Sequence, residues 1–188
     1  MKSIKLIFAS LLILFSFQKG IAQTSKIDIS KSIINWTGKK ITGQHEGTVN
    51  FKEVYLIFKD KKVTGGNFTV DMKSLSNTDQ TGSSKSKLEG HLKSEDFFSV
   101  DNFTTSTLAF KSIANKGNNT YLINADLTIK GITNSIQFDL TVNGNKATAA
   151  LKVNRTKYDI KYGSGSYFDD LGDKTIYDDF ELNVVLFF

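Results

Sequence analysis

YLINADLTIKGITNSIQFDLTVNGNKATAALKV, residues 121–153, carries the strongest structural signal in this chain. Tyr121, Ile123, Ala125, Leu127 and Ile129 alternate with Asn124, Asp126 and Thr128. Ile136, Phe138, Leu140 and Val142 then alternate with Gln137, Asp139 and Thr141. Ala147, Ala149, Leu151 and Val153 follow after Asn143-Gly144-Asn145. A period of two sends apolar side chains to one face of a strand and polar ones to the other. Asn-Gly marks a tight hairpin, because both residues tolerate positive φ. The stretch predicts consecutive antiparallel strands sharing one apolar face.

Upstream, Phe68, Val70 and Met72 alternate after Gly65-Gly66, which reads as a turn. Phe180, Leu182, Val184, Leu186 and Phe188 form a last strand able to close a sheet on itself. Residues 73–102 read differently. The Ser-rich tract SLSNTDQTGSSKSK (74–87) leads into LEGHLKSEDFF (88–98), where Leu88, His91 and Leu92 fall at helical spacing. A connection this long in a β domain is usually functional or mobile. It predicts a loop and a short helix covering one end. Such strands form either a sandwich or a closed barrel. Closure removes exposed edges, and about eight strands leave room inside for a ligand. Alternation does not choose between the two.

Lys2 and Lys5, an apolar run at 6–17 and Gly20-Ile21-Ala22 predict an export signal spanning residues 1–22. The run is short for a membrane span, which takes about 20 apolar residues. No second run exists, so no transmembrane segment is expected after signal removal. Residues 23–188 then form one domain, periplasmic or secreted, with a formal charge of +2 instead of +5. Its lysines are interspersed with acids, which argues against a nucleic-acid partner. There is no cysteine, hence no disulfide and no lipid anchor on cysteine.

Few residues suggest chemistry. A nucleophile–base pair lacks a cysteine and a G-x-S-x-G elbow. The one S-x-x-K match, Ser84 to Lys87, lies in a Ser/Lys-rich tract where chance supplies it. His45 and His91, with Glu46, Glu89 and Asp96, have no metal-ligand spacing. Asp169, Asp170, Asp173, Asp178 and Asp179 lack the order of a calcium loop. The expectation is therefore no catalytic residues, no metal and no cofactor. Arg155 is the only arginine, against 23 lysines. Guanidinium binds carboxylate or phosphate in a bidentate way that lysine cannot. A buried or half-buried pair with an acid such as Asp159 or Asp126 is the favoured reading, and a ligand head group at the rim is the other.

SIINWTGKKITGQHEGTVNF (32–51), GGNFTVDMKSLSNTD (65–79), LEGHLKSEDFFSVDNFTTSTLAFKS (88–112), LTIKGIT (127–133) and Arg155 together resemble the YceI-like family. His45-Glu46-Gly47 and YGSGSYFDDLGDKTIYDDFELNV (162–184) resemble an exported branch of it from Bacteroidetes-like bacteria. One departure is Asn102-Phe103, where the family often has Tyr-Pro.

The resemblance implies an all-β fold: an extended eight-stranded antiparallel β-barrel, lipocalin-like, with the short helix over one mouth. It implies non-catalytic binding or transport of a long-chain isoprenoid or related lipid in the cell envelope. The expected wall residues are Trp36, Phe51, Phe68, Val70, Phe110, Leu127, Ile129, Phe138 and Leu140. The expected lid residues are Leu92, Phe97, Phe98 and Phe103, with Arg155 near the rim. The alternative is an envelope stress or maintenance protein with a filled barrel, acting through a protein partner. A homodimer stays open.

Overall fold

Tyr121, Ile123, Ala125, Leu127 and Ile129 are all buried along β6 (Thr120–Ile129), and the residues between them are not. The same rule builds the other long strands: β2 (Ile33–Lys40), β3 (Gly43–Lys59), β4 (Lys62–Asn77), β5 (Thr105–Gly117), β7 (Ile132–Asn143), β8 (Lys146–Asn154) and β9 (Ile176–Phe187). A short β1 (Gln23–Lys26) pairs with the far end of β3, collinear with β2. The computed structural model describes residues 23–188, and the expected export signal lies outside the described residues. Each strand pairs antiparallel with the next from β2 onward, and β9 pairs with both β8 and β2. The sheet therefore closes on itself as an eight-stranded barrel.

Tight hairpins set the registers. Asp60-Lys61, Asn118-Asn119 and Lys130-Gly131 each place both turn residues at positive φ, the geometry that matches strand twist. The turn between β7 and β8 is Gly144-Asn145, one residue later than the Asn-Gly reading. Asn143 pairs with Lys146, and only Gly144 has positive φ. Gly65-Gly66 is not a turn. Both glycines lie inside β4, opposite Ile57 and Leu56. A Cβ on Gly66 would stand 2.7 Å from the Phe110 ring, so the missing side chain makes room for an aromatic.

The wall is apolar inside and charged outside. Lys111–Asp126 (3.3 Å), Lys116–Asp139 (2.7 Å) and Lys152–Asp179 (3.0 Å) lie on the outer face. A barrel embedded in lipid has the reverse arrangement, with its apolar band outward. No helix among the described residues is long and apolar enough to cross a membrane.

The segment after β4 holds the one α-helix described, α1 (Gly82–Lys93). It begins six residues before Leu88, so the tract read as loop supplies its first half. That half carries no apolar residue and shows no period. Lysine and glutamate are good helix formers, and Lys85–Glu89 adds an i,i+4 pair at 3.7 Å. Residues 74–77, also read as loop, extend β4.

Candidate functional site: an apolar lumen under a tied-down lid

Two cavities lie inside the barrel. The upper, about 180 Å³, sits beneath α1 and the aromatic pair Phe97–Phe98. The lower, about 80 Å³, occupies the middle of the barrel. Ile34, Val70, Ser106, Leu127 and Leu182 line both, so the cavities meet at a shared waist.

The residues expected from sequence divide cleanly. Trp36, Leu92, Phe97, Phe98, Ile129 and Arg155 line the upper cavity. Phe51, Phe68, Phe110, Phe138 and Leu140 line the lower. Val70 and Leu127 belong to both. Phe103 lines neither. Its ring packs over Gly131 in the β6–β7 turn, and it is 36% exposed. Sequence reasoning missed Ile34, Ser106 and Leu182 at the waist. Ile34 and Leu182 continue alternations already visible through Trp36 and Phe180. Ser106 carried no signal, since a lone inward serine breaks the apolar pattern.

Aromatic rings tile the lumen. Phe51–Phe68 (6.3 Å), Phe68–Phe110 (5.3 Å) and Phe110–Phe138 (6.1 Å) run across the lower part. Above, Phe97 meets Phe98 edge-on at 5.3 Å, and Phe98 meets Phe180 at 6.2 Å. Offset and tilted contacts of this kind are favourable beyond their buried area. Trp36 covers Gly47, where any Cβ would collide with both the indole and the Ser76 carbonyl.

Arg155 is 2% exposed and does not pair with Asp159 or Asp126. Those acids bind Lys161 (2.8 Å) and Lys111 (3.3 Å) on the outside. The guanidinium instead donates to three carbonyls: Ile160 (2.8 Å), Ile176 (3.0 Å) and Tyr177 (3.1 Å). Asp178 lies 3.7 Å away, and the Phe97 ring stacks at 5.6 Å from its centroid. Burial lowers its pKa, with Asp178 opposing that shift. An arginine stays charged regardless. Three of its five N–H donors tie the 155–160 turn to the start of β9 beneath the lid.

A second polar knot anchors α1. Asn77 is fully buried. Its amide side chain donates to the Glu46 carbonyl at 2.8 Å and to Asp79, and its Oδ1 accepts from the Gln80 backbone at 3.0 Å. Glu89, on α1, accepts from the Asn77 backbone N–H and the Ser76 hydroxyl, both at 2.8 Å. Asp79 accepts from the Glu46 amide (2.8 Å) and contacts His45 Nδ1 (2.9 Å). Burial pushes the Asp79 carboxyl up, but the bonds from Glu46, His45 and Asn77 outweigh it and hold the pKa at about 2. His91 leans on Tyr162 (4.4 Å) and Phe97 (5.6 Å), with its Nε2 buried and unpartnered. His45 and His91 thus serve separate contacts. Among the described residues, no three His, Cys, Asp or Glu side chains converge on a metal site.

Comparison with known proteins agrees with this architecture. The chain is similar to UPF0312 proteins of Staphylococcus aureus. That of strain USA300 is 36% identical over 85 residues, covering 39% of this chain and 47% of the relative. That of strain MSSA476 is 45% identical over 56 residues, 30% of each chain. The chain thus spans less than half the length of these curated relatives. Among solved structures, Burkholderia cenocepacia BcnA has a TM-score of 0.70 at 21% identity, covering 86% of this chain and 98% of that one. A polyisoprenoid binding domain from Saccharophagus degradans, implicated in plant cell wall breakdown, has 0.59 at 14%, covering 90% and 98%. The Campylobacter jejuni YCEI protein has 0.55 at 19%, covering 72% and 80%. The family model for the YceI-like domain matches residues 26–188. With a barrel of this kind over nearly its whole described length, the chain belongs to the YceI-like domain family.

Proposed function

We propose that this protein is a non-catalytic carrier of a long single-chain lipid of the isoprenoid class, exported to the periplasm or secreted. The observation that carries the reading is the pair of apolar cavities meeting at one waist. Each buried methylene contributes about 0.8 kcal/mol, so a greasy bore holds a hydrocarbon chain without specific polar contacts. An engineered cavity of about 150 Å³ already binds benzene, and the upper cavity alone is larger. Empty space is also costly. At roughly 24 cal/mol per Å³, an unfilled upper cavity costs about 4 kcal/mol, a large part of a domain's stability. A bound chain recovers that energy. The Saccharophagus domain, described as polyisoprenoid binding, supports the choice of ligand class. A filled barrel acting only through its outer surface does not account for the cavities.

Organic extraction of protein purified gently from its native host, followed by mass spectrometry, tests the reading. A stoichiometric long-chain lipid is expected, and Phe138→Asp should lose it. Lipid-free protein from that source counts against the proposal.

A further inference from the structure

Hydrogen bonding does not run all the way round the barrel wall. β7 and β8 leave their hairpin paired from Asn143↔Lys146 to Leu140↔Ala149, and there the ladder stops. Beyond that point β7 bonds only to β6, and β8 only to β9. In the continued register residues 135–139 and 150–154 face each other with no ladder bonds between them, across a slit. The polar side chains on its lips turn away from it. Gln137 donates to Asn124 on β6 (2.8 Å), Asp139 takes Lys116 of β5 (2.7 Å), and Lys152 reaches Asp179 at the start of β9 (3.0 Å). Near the lid the slit is spanned by Asn134 donating to the Lys157 carbonyl (3.0 Å) and Lys130 to the Asp159 carbonyl (3.2 Å). Directly behind it, Phe138, Leu140, Ala149 and Leu151 line the lower cavity.

Two other routes are blocked more firmly. β4 and β5 also part company beyond Asn67↔Ala109, but the Phe110 ring seals that gap against Gly66. The lid end is held by the bonds that join Glu89 of α1 to Asn77 and Ser76 and Asn77 to Asp79. Opening there breaks several buried polar contacts. Widening the slit breaks no strand ladder, and regions with few buried bonds are the ones that open at low cost.

We propose that the apolar ligand enters and leaves sideways, through the β7–β8 slit, while the lid stays shut. This rests on the reading of the lumen as a lipid site and adds the route to it. The chain has no cysteine, so engineered pairs can be crosslinked cleanly. Gln137→Cys with Lys152→Cys continues the Leu140↔Ala149 register across the slit. Ser76→Cys with Glu89→Cys ties α1 to β4. Each delipidated pair is joined with a short bis-maleimide, and uptake of the fluorescent polyene cis-parinaric acid is followed by stopped flow. The slit crosslink should slow entry about tenfold or more relative to its uncrosslinked parent, as a blocked conformational step does. The lid crosslink should leave the rate within about twofold. Asp139→Cys with Ala150→Cys replaces the first pair if that variant does not fold. Unchanged uptake through a crosslinked slit, or a block by the lid crosslink alone, overturns the route and leaves the lumen reading standing. No uptake at equilibrium by unmodified, delipidated protein sinks both.

Discussion

At Arg155 the sequence drew attention to a residue without showing what it does. Its being the lone arginine was visible, yet its hydrogen bonds go to the carbonyls of residues 160, 176 and 177, and the acid beside it is Asp178, not Asp159 or Asp126. A planar fork that satisfies three carbonyls explains why lysine is a poor substitute. Arg155→Lys should cost roughly 2–4 kcal/mol in urea denaturation, because buried acceptors lose charge-assisted bonds. A loss under about 0.5 kcal/mol, the scale of an ordinary surface change, would remove the knot from the account. Asp79 offers a pH test. Its folded pKa of about 2 lies below the ordinary 3.8. The unfolded chain therefore takes up the proton first, and stability present above about pH 4 falls as pH drops through about 2. Thermal denaturation between pH 6 and 2.5 should show a steeper acid loss in the natural protein than in Asp79→Asn. Equal slopes would mean the carboxylate contributes nothing of the kind.

Among the elements, the strands were legible and the helix only half so. Burial on β6 follows the alternation residue by residue, and Phe138, Leu140, Leu151 and Val153 obey it on β7 and β8. The Ser/Lys half of α1 has no apolar residue to carry a period, so only Leu88, His91 and Leu92 betrayed the helix. A 12-residue helix is marginal in isolation and depends on tertiary contacts. Leu92 is buried, Leu88 packs against the core, and Glu89 bonds to the end of β4. Glu89→Gln should weaken that anchor by about 1–2 kcal/mol, speeding amide exchange in α1 roughly five- to thirtyfold with the barrel amides unaffected. Uniform acceleration across the strands would show that lid and barrel open as one unit. Phe103, grouped with the lid for its place in the sequence, instead serves the β6–β7 turn. Neighbours along a loop need not share a destination.

For the whole molecule, the waist at Ile34, Val70, Ser106, Leu127 and Leu182 joins the two cavities, and on the proposed function it sets how long a chain the lumen takes. Ser106→Phe places a ring in existing space between the two cavities. Overpacking normally costs about 1–3 kcal/mol, but filling a void offsets that cost. The melting temperature should move by only a few degrees, about 4–8 °C per kcal/mol being the upper scale for small domains. The lipid recovered by extraction should become shorter. Recovery of the same chain lengths as from the natural protein would place the ligand somewhere other than across the waist.

Residue order alone dictates the direction each side chain faces. Alternation and turn residues specify an antiparallel sheet with one apolar face, and that much was readable from residues 121–153 alone. Whether the apolar face encloses a space, how wide it is and where the wall parts were decided only in three dimensions. A period of two reports inside or outside at each position. The volume left over depends on strand number, stagger and tilt, and on which side chains meet from strands far apart in the chain. Arg155, Ser106 and the lips of the β7–β8 slit belong to that second category.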